Sequence, residues 1–108
     1  KGLDGMEKMK QIMSGLRSRP IEKVGSLAVR HQEDYLTRKR TAADGSISEI
    51  DLRAGDAVKL LLENSAWICI RPSGTEPKIK IYYAVREATR EAAENRLKEI
   101  AASFEQMI

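Results

Sequence analysis

The sequence predicts a single α+β domain in which a four-stranded antiparallel sheet carries two flanking helices. Three observations lead to this class. Apolar residues recur every three or four positions near both ends of the chain, which is typical of helices that bury one face. Between these ends, apolar and polar residues alternate in four runs, as in strands with one buried face. Short polar connections join the last three runs, so these strands are expected to pair as neighbours in a two-layer domain.

The first helix is predicted over residues 3–16. Its end is expected between residues 15 and 19, because Pro20 disfavours helical geometry in the residue before it. Methionines on one face can form an adaptable groove for a partner, but ordinary core packing is the preferred interpretation. The apolar stripe consists of Leu3, Met6, Met9, Ile12, Met13 and Leu16.

The first strand is predicted over residues 24–32, with Leu27, Val29 and His31 on one face. His31 is the only histidine of the chain. Because no cluster of cysteines, histidines or carboxylates surrounds it in the sequence, it is expected on a polar face or at a strand end rather than in a metal or catalytic site.

The next segment, residues 36–56, is rich in turn-forming residues and is predicted to be a solvated loop. It carries a basic cluster, Arg38, Lys39 and Arg40. The cluster is short and lacks interleaved aromatic residues, so it is a poor candidate for a nucleic-acid patch. As an alternative to simple solvation, the loop could lean over an anionic site.

Three further strands are predicted in quick succession, separated by short connections at residues 63–66 and 72–77. The residues expected on the buried face are Val58, Leu60, Leu62, Ile68, Ile70, Ile79, Ile81, Tyr83 and Val85. The residues expected on the opposite face are Trp67, Cys69, Arg71, Lys78, Lys80, Tyr82 and Arg86.

The last segment predicts a second helix that begins after Thr89, a residue type favoured at the N-cap. Charged residues cover the other faces of this helix. Its expected apolar stripe consists of Ala93, Leu97, Ile100, Phe104 and Met107.

Length and composition limit the possible functions. The 108 residues suit one domain over residues 1–108, and the net charge of +3 fits an anionic ligand but falls short of a nucleic-acid-binding surface. No apolar run is long enough to span a membrane, and no signal-peptide pattern is seen at the start of the given sequence. Cys69 is the only cysteine and is expected to be a buried, reduced thiol in a cytoplasmic protein. The chain begins without Met, and we expect it to be a piece of a longer protein.

The connection between the last two strands, residues 71–78, has more polar chemistry than a hairpin turn needs. Gly74 permits close approach of a ligand to the backbone, and the N–H groups around it could converge on an anion. Ser73 and Thr75 add two short hydroxyl donors. A proline on each side stiffens the turn, which lowers the cost of ordering it when a ligand binds.

Charged side chains surround the same turn. Arg71 ends a strand, and its planar guanidinium suits two phosphate oxygens, while Lys78 and Lys80 add positive charge. Glu76 is expected to pair with Arg71 or with a lysine, or to accept a hydrogen bond from a sugar hydroxyl. The residues alone leave two interpretations open: an anion-binding site, or a hairpin made of turn-forming residues without a ligand.

The stretch RPSGTEPKIKIYY, residues 71–83, closely resembles the phosphate-binding signature in the C-terminal domain of the α-D-phosphohexomutases, the phosphoglucomutase/phosphomannomutase superfamily. The resemblance extends to the flanking strands, the final helix and the order of elements, and so covers essentially the whole chain. It implies a four-stranded antiparallel sheet with flanking helices, grouped with the TATA-box-binding-protein-like folds.

The resemblance also implies a function. Members of the superfamily are phosphotransferases of the isomerase class, which interconvert the 1-phosphate and 6-phosphate of a hexose. A phosphoserine in the first domain donates the phosphoryl group, and a second domain binds Mg²⁺. The fourth domain grips the non-reacting phosphate and closes the cleft. Carried over residue by residue, the phosphate ligands are Arg71, Ser73, Gly74 and Thr75, with Glu76, Lys78 and Lys80 as further candidates.

The sequence lacks the serine, metal and sugar-selecting loops of the superfamily. It is therefore interpreted as an isolated fourth domain that is inactive alone, without a catalytic residue, metal or cofactor of its own. The expected partners are a hexose phosphate and the missing N-terminal domains of the same chain, with no nucleic acid and no membrane. The run EPKIKIYY resembles the glucomutase, mannomutase and pentomutase-like branch, and the sugar stays open.

The sequence leaves two alternative functions. A stand-alone phospho-ligand-binding module would need measurable affinity by itself. A nucleic-acid-binding α+β domain is disfavoured, because the exposed positions of the sheet are expected to lack the aromatic pairs that stack bases.

Overall fold

The computed structural model describes residues 2–19, 21–50, 55–73, 76 and 78–108, with side chains from residue 7 onward. It confirms the α+β class. A short 3-10 turn, Glu63–Ser65, connects the fifth and sixth strands. The helices and strands are α1 (Gly2–Ser18), β1 (Lys23–Val24), β2 (Leu27–Asp34), β3 (Lys39–Ala42), β4 (Ile47–Glu49), β5 (Val58–Leu62), β6 (Trp67–Pro72), β7 (Ile79–Ala84) and α2 (Arg90–Glu105).

The described sheet is antiparallel and has seven strands rather than the four predicted. Its order is β4-β3-β2-β5-β6-β7, and β1 pairs with the start of β2. The four predicted strands correspond to β2, β5, β6 and β7, which are consecutive neighbours in this order. The additional strands are short, with two to four residues each.

The prediction of a loop over residues 36–56 is wrong for β3 and β4, which form a hairpin around Asp44 and Gly45. Gly45 has a φ of 91°, and the Asp44 carboxylate accepts hydrogen bonds from the backbone N–H and the hydroxyl of Ser46, at 2.9 and 2.7 Å. All three residues of β4 are exposed, so no alternation of apolar and polar residues marks this strand. Residues 51–54 lie outside the described part of the chain.

A β-bulge in β2 contradicts the prediction that His31 shares a face with Leu27 and Val29. Val29 pairs with Leu62, whereas His31 pairs with Leu61, so two steps along β2 oppose one step along β5. Residues after the bulge therefore change face, and His31 turns away from the core. His31 is half-buried on the face away from the core, where its register partners are Ala42 and Leu61, so its immediate neighbours are not the polar ones expected.

The core lies between one face of the sheet and both helices. Residues Met13 and Leu16 of α1 and Ile100 and Phe104 of α2 belong to the same buried cluster as the inward residues of β5 and β6. Met107 was predicted to extend the stripe of α2, but it lies beyond the helix end and is 46% exposed. The side chains of Leu3 and Met6 lie outside the described set.

The opposite face, which we name the outer face, is defined by the register of the strands. Along β2, β5, β6 and β7, register pairs that face the core alternate with register pairs that face outward. The residues of the outer face on these strands are His31, Glu33, Lys59, Leu61, Trp67, Cys69, Arg71, Lys80, Tyr82 and Ala84.

Three hydrogen bonds connect α2 to the turn between β1 and β2. Gly25 N–H donates to the hydroxyl of Ser103 at 2.9 Å, and Ser26 N–H donates to the carboxylate of Glu99 at 2.8 Å. Arg96 donates to the Ser26 hydroxyl at 2.7 Å. At the start of the helix, Thr89 accepts a hydrogen bond from the backbone three residues later, which confirms the predicted N-cap. The hydrogen bonds to Gly25 and Ser26 hold α2 against the turn between β1 and β2.

Candidate anion-binding site

The turn between β6 and β7 is held by its own hydrogen bonds. Ser73 N–H donates to the Lys78 carbonyl at 2.8 Å, and Lys78 N–H donates to the Glu76 carbonyl at 2.8 Å. Glu76 N–H donates to the Ser73 hydroxyl at 3.3 Å, so this hydroxyl helps to shape the turn. Gly74 and Thr75 lie outside the described residues, and their roles as phosphate ligands stay predictions.

Two predicted site residues, Arg71 and Lys80, lie directly opposite each other where this turn begins and ends. They form a register pair between β6 and β7 on the outer face, and both are exposed. Within the described ranges, neither side chain has a carboxylate at ion-pair distance. The structure therefore brings two uncompensated positive charges together beside the turn.

Glu76, the carboxylate of the turn, pairs with Lys78 and not with Arg71. Its Oε1 lies 3.4 Å from Lys78 Nζ, and both side chains are largely exposed. Of the pairings considered from the sequence, the structure shows the one with a lysine. Because Glu76 offsets the charge of Lys78, the cationic character of the site comes from Arg71 and Lys80.

An aromatic ring that sequence reasoning left without a role contacts Arg71. The guanidinium carbon of Arg71 lies 5.9 Å from the centroid of the Tyr82 ring. Tyr82 follows Lys80 by two residues and therefore lies on the same face of β7. The alternating pattern predicted this face correctly, but the contact depends on the register between two strands, which the pattern does not give.

The chain matches the family model of the phosphoglucomutase/phosphomannomutase C-terminal domain over residues 25–103. It belongs to this family. Its relatives include the phosphoglucomutases of Staphylococcus aureus strains MRSA252 and N315, which are 38% and 37% identical to it over 86 residues. Each match covers 79% of this chain, and the chain spans only 15% of the length of either relative. No solved structure matches the chain.

A second cation–aromatic pair lies on the same face of this phosphohexomutase domain. Lys59 Nζ lies 4.6 Å from the centroid of the Trp67 ring. Trp67 and Tyr82 are diagonal neighbours, since Cys69 pairs with Tyr82 and Trp67 with Ala84. The expectation that the exposed positions lack an aromatic pair is therefore wrong. Each of the two rings, however, already contacts a cation.

Cys69 lies between these two pairs and is half-buried rather than buried as predicted. It pairs with Lys59 on one side and with Tyr82 on the other. Burial raises the pKa of the Cys69 thiol and outweighs the opposing charges of Lys59 and Arg71. A raised pKa disfavours the thiolate, which is the nucleophilic form of cysteine.

The basic cluster at residues 38–40 does not reach the turn of the family signature. It lies around the start of β3, which β2 and β5 separate from β6 in the sheet. Arg40 donates to the Glu33 carboxylate at 2.8 Å, and Arg38 donates to the Ile50 carbonyl at 3.3 Å. These contacts tie Arg40 to β2 and Arg38 to Ile50, on the far side of β2 and β5 from the signature turn. The alternative that the loop over residues 36–56 leans over an anionic site stays a prediction, since residues 51–54 lie outside the described part of the chain.

The described residues contain no group of three or more His, Cys, Asp or Glu side chains that could hold a metal ion. None of the described helices is both long enough and apolar enough to cross a membrane. The expectation that Mg²⁺ binds elsewhere in a longer protein stays a prediction.

Proposed function

We propose that this chain is the substrate-phosphate-binding domain of a phosphohexomutase that interconverts hexose 1-phosphate and hexose 6-phosphate. It grips the phosphate that is not transferred, closes the active-site cleft and has no catalytic residue of its own. The observation that supports this proposal best is the pair Arg71 and Lys80, opposite each other beside the signature turn and without carboxylate partners in the described part of the chain.

Like charges placed directly opposite each other on two strands destabilise a sheet. An anion between them offsets that repulsion, and phosphate suits both groups. Arg71 can donate two parallel hydrogen bonds to phosphate oxygens, while Lys80 supplies a compact charge that adapts to the remaining oxygen. The backbone of Gly74 and Thr75 would add further N–H donors, as predicted from the sequence.

Gripping the far phosphate contributes to catalysis at the other end of the sugar. Binding energy from a group that does not react can be used to align the group that does. A small misplacement of a substrate can cost about 100-fold in rate, so a loose clamp here lowers turnover elsewhere. In this proposal, the remaining domains of a cytoplasmic enzyme supply the phosphoserine, the sugar-selecting loop and the Mg²⁺ site. We assign no step to Mg²⁺ in this chain.

The experiment is an amide NMR titration of the 108-residue chain with glucose 1-phosphate. We expect shifts confined to residues around 71–80 and a dissociation constant on the order of millimolar, because one phosphate clamp must offset the whole entropic cost of association. Arg71→Ala should abolish these shifts. Arg86→Ala is the matched control, since Arg86 is exposed beyond the far end of β7 and should leave binding unchanged.

Three outcomes decide between the functions. Binding that survives Arg71→Ala would reject the proposed site. Sub-micromolar affinity would favour a stand-alone phospho-ligand-binding module. Amide shifts on the outer face that appear with single-stranded nucleic acid, and not with the sugar phosphate, would favour the nucleic-acid-binding alternative. The proposal itself includes neither nucleic-acid binding nor membrane binding.

A further inference from the structure

The side chain of Arg71 is restrained by one aromatic neighbour. Its guanidinium carbon lies 5.9 Å from the centroid of the Tyr82 ring, within the range of a cation–π contact. Arg71 has no other hydrogen bond or ion pair within the described ranges of the chain. Because an exposed arginine otherwise samples many rotamers, this ring has a large influence on where the guanidinium points.

The sheet register explains why Tyr82 can reach Arg71. Arg71 pairs with Lys80, and Tyr82 is the next residue of β7 on the same face, so the two side chains are diagonal neighbours. Long and aromatic side chains span this diagonal distance. Tyr82 is 44% exposed, so part of its ring is accessible to the Arg71 side chain. Its backbone lies within β7, which holds the residue in place beside Arg71.

We propose that Tyr82 is a positioning residue, whose ring holds the Arg71 guanidinium on the outer face in a conformation ready to bind phosphate. This inference rests on the proposed function, because it assigns a role to Tyr82 only if Arg71 binds the anion. A guanidinium that is already ordered loses less conformational entropy when it binds a ligand. Tyr82 thus raises phosphate affinity without touching the phosphate.

The test compares three variants by amide NMR titration with inorganic phosphate. Tyr82→Leu removes the aromatic face and should weaken phosphate binding by roughly two- to five-fold, the factor that corresponds to an exposed cation–π contact. Tyr82→Phe keeps the face and should bind as the wild type does. Trp67→Leu removes the other cation-bound ring of the same face and, because it does not contact Arg71, should leave phosphate affinity unchanged.

The deciding arm of a second measurement uses the wild type, so it does not depend on whether a variant folds. Protons above an aromatic face are shifted upfield, so the Nε–Hε proton of Arg71 should resonate upfield of that of Arg86 in the ligand-free wild type. The shift should persist in Tyr82→Phe and vanish in Tyr82→Leu. An Arg71 resonance at the same position as Arg86 in the wild type would overturn the inference.

The outcomes separate this inference from the proposed function. If Arg71→Ala abolishes phosphate binding and Tyr82→Leu does not weaken it, Tyr82 has no positioning role while the phosphate site stands. If Arg71→Ala has no effect on phosphate binding, the proposed function fails. Weaker binding in Tyr82→Phe as well as in Tyr82→Leu would point to the phenol hydroxyl and would also overturn the role of the ring.

Discussion

Arg71 and Lys80 face each other across β6 and β7, beside the signature turn, and the nearby carboxylate of Glu76 pairs with Lys78 instead. This arrangement costs stability in the absence of a ligand, because two like charges lie opposite each other on one face of the sheet. It also concentrates positive charge at one place. The same pair is therefore expected to destabilise the free domain and to favour the domain bound to an anion.

Replacing Lys80 by glutamine tests this trade-off directly. We expect Lys80→Gln to raise the free energy of unfolding of the ligand-free domain by roughly 0.2–1 kcal/mol, because the repulsion from Arg71 disappears. Inorganic phosphate should stabilise the wild type by mass action and the variant much less. Urea denaturation with and without phosphate measures both effects.

Lys98→Gln is the control for Lys80→Gln, because it makes the same change on an exposed position of α2. It should leave the stabilisation by phosphate as large as in the wild type. If both variants lose the same share of the stabilisation by phosphate, the effect comes from net charge, and the pairing of Arg71 with Lys80 has no special role.

The central strands could be predicted from the sequence because their patterns are long and their inward residues are apolar. β5, β6 and β7 show the expected alternation, and the core residues Leu60, Ile68 and Ile70 are fully buried. β3 and β4 could not be found in the same way, because β4 has three exposed residues and no buried face. The only local signal for that hairpin was Asp44-Gly45, which also fits an ordinary turn.

The sequence predicted which residues lie at the candidate site and on which face, but not how they are arranged relative to one another. Alternation alone places Arg71 and Lys80 on the face opposite the core. The statement that they are partners requires the register of the hairpin, in which Pro72 pairs with Ile79. The same register brings Tyr82 diagonally to Arg71. The choice of Lys78 as the partner of Glu76 depends on side-chain rotamers, which a sequence pattern does not contain.

Gly25 is predicted to be the least replaceable glycine of the fully described part of the chain. Its φ is 59°, and a Cβ added there would lie 2.9 Å from the Glu99 carboxylate, which already accepts the hydrogen bond of Ser26. We expect Gly25→Ala to lower the free energy of unfolding by about 2–3 kcal/mol, through backbone strain and displacement of Glu99. Chemical denaturation monitored by circular dichroism gives this number.

Two variants separate the causes of that loss. Gly45 also has a positive φ, of 91°, but a Cβ there would meet no atom within 4 Å, so Gly45→Ala reports the backbone cost alone. In the background of Glu99→Ala, the cost of Gly25→Ala should fall toward the cost at Gly45. An unchanged cost in that background would show that the Glu99 side chain is not the obstacle.

Phe104 and Met107 were predicted to lie on one apolar stripe, and the structure predicts very different consequences for their removal. Phe104 is fully buried and joins α2 to the core, whereas Met107 is 46% exposed. Phe104→Ala should cost about 3–5 kcal/mol of unfolding free energy, and Met107→Ala less than about 0.5 kcal/mol. Thermal and urea denaturation of both variants check this. Equal losses would mean that the stripe continues past Glu105.

Glu33 is expected to make the stability of the domain depend on pH in the acid range. Its side chain lies on the outer face of β2 and is nearly buried, accepting hydrogen bonds from the Tyr35 hydroxyl at 2.5 Å and from Arg40 at 2.8 Å. Burial tends to raise the pKa of Glu33, but the hydrogen bonds from Tyr35 and Arg40 outweigh it and hold the pKa below the ordinary value of 4.5.

Since the pKa of Glu33 is lower in the folded state than in the unfolded state, its contribution to stability is complete above about pH 4.5 and is lost as the pH falls through the folded value. Glu33→Gln should therefore flatten the fall in unfolding free energy on the acid side of pH 4.5, measured by urea denaturation over a series of pH values. Glu49→Gln changes an exposed carboxylate of β4 and should keep the steep fall. If the two variants show the same slope, the hydrogen bonds to Glu33 do not differ in strength between its charged and neutral forms.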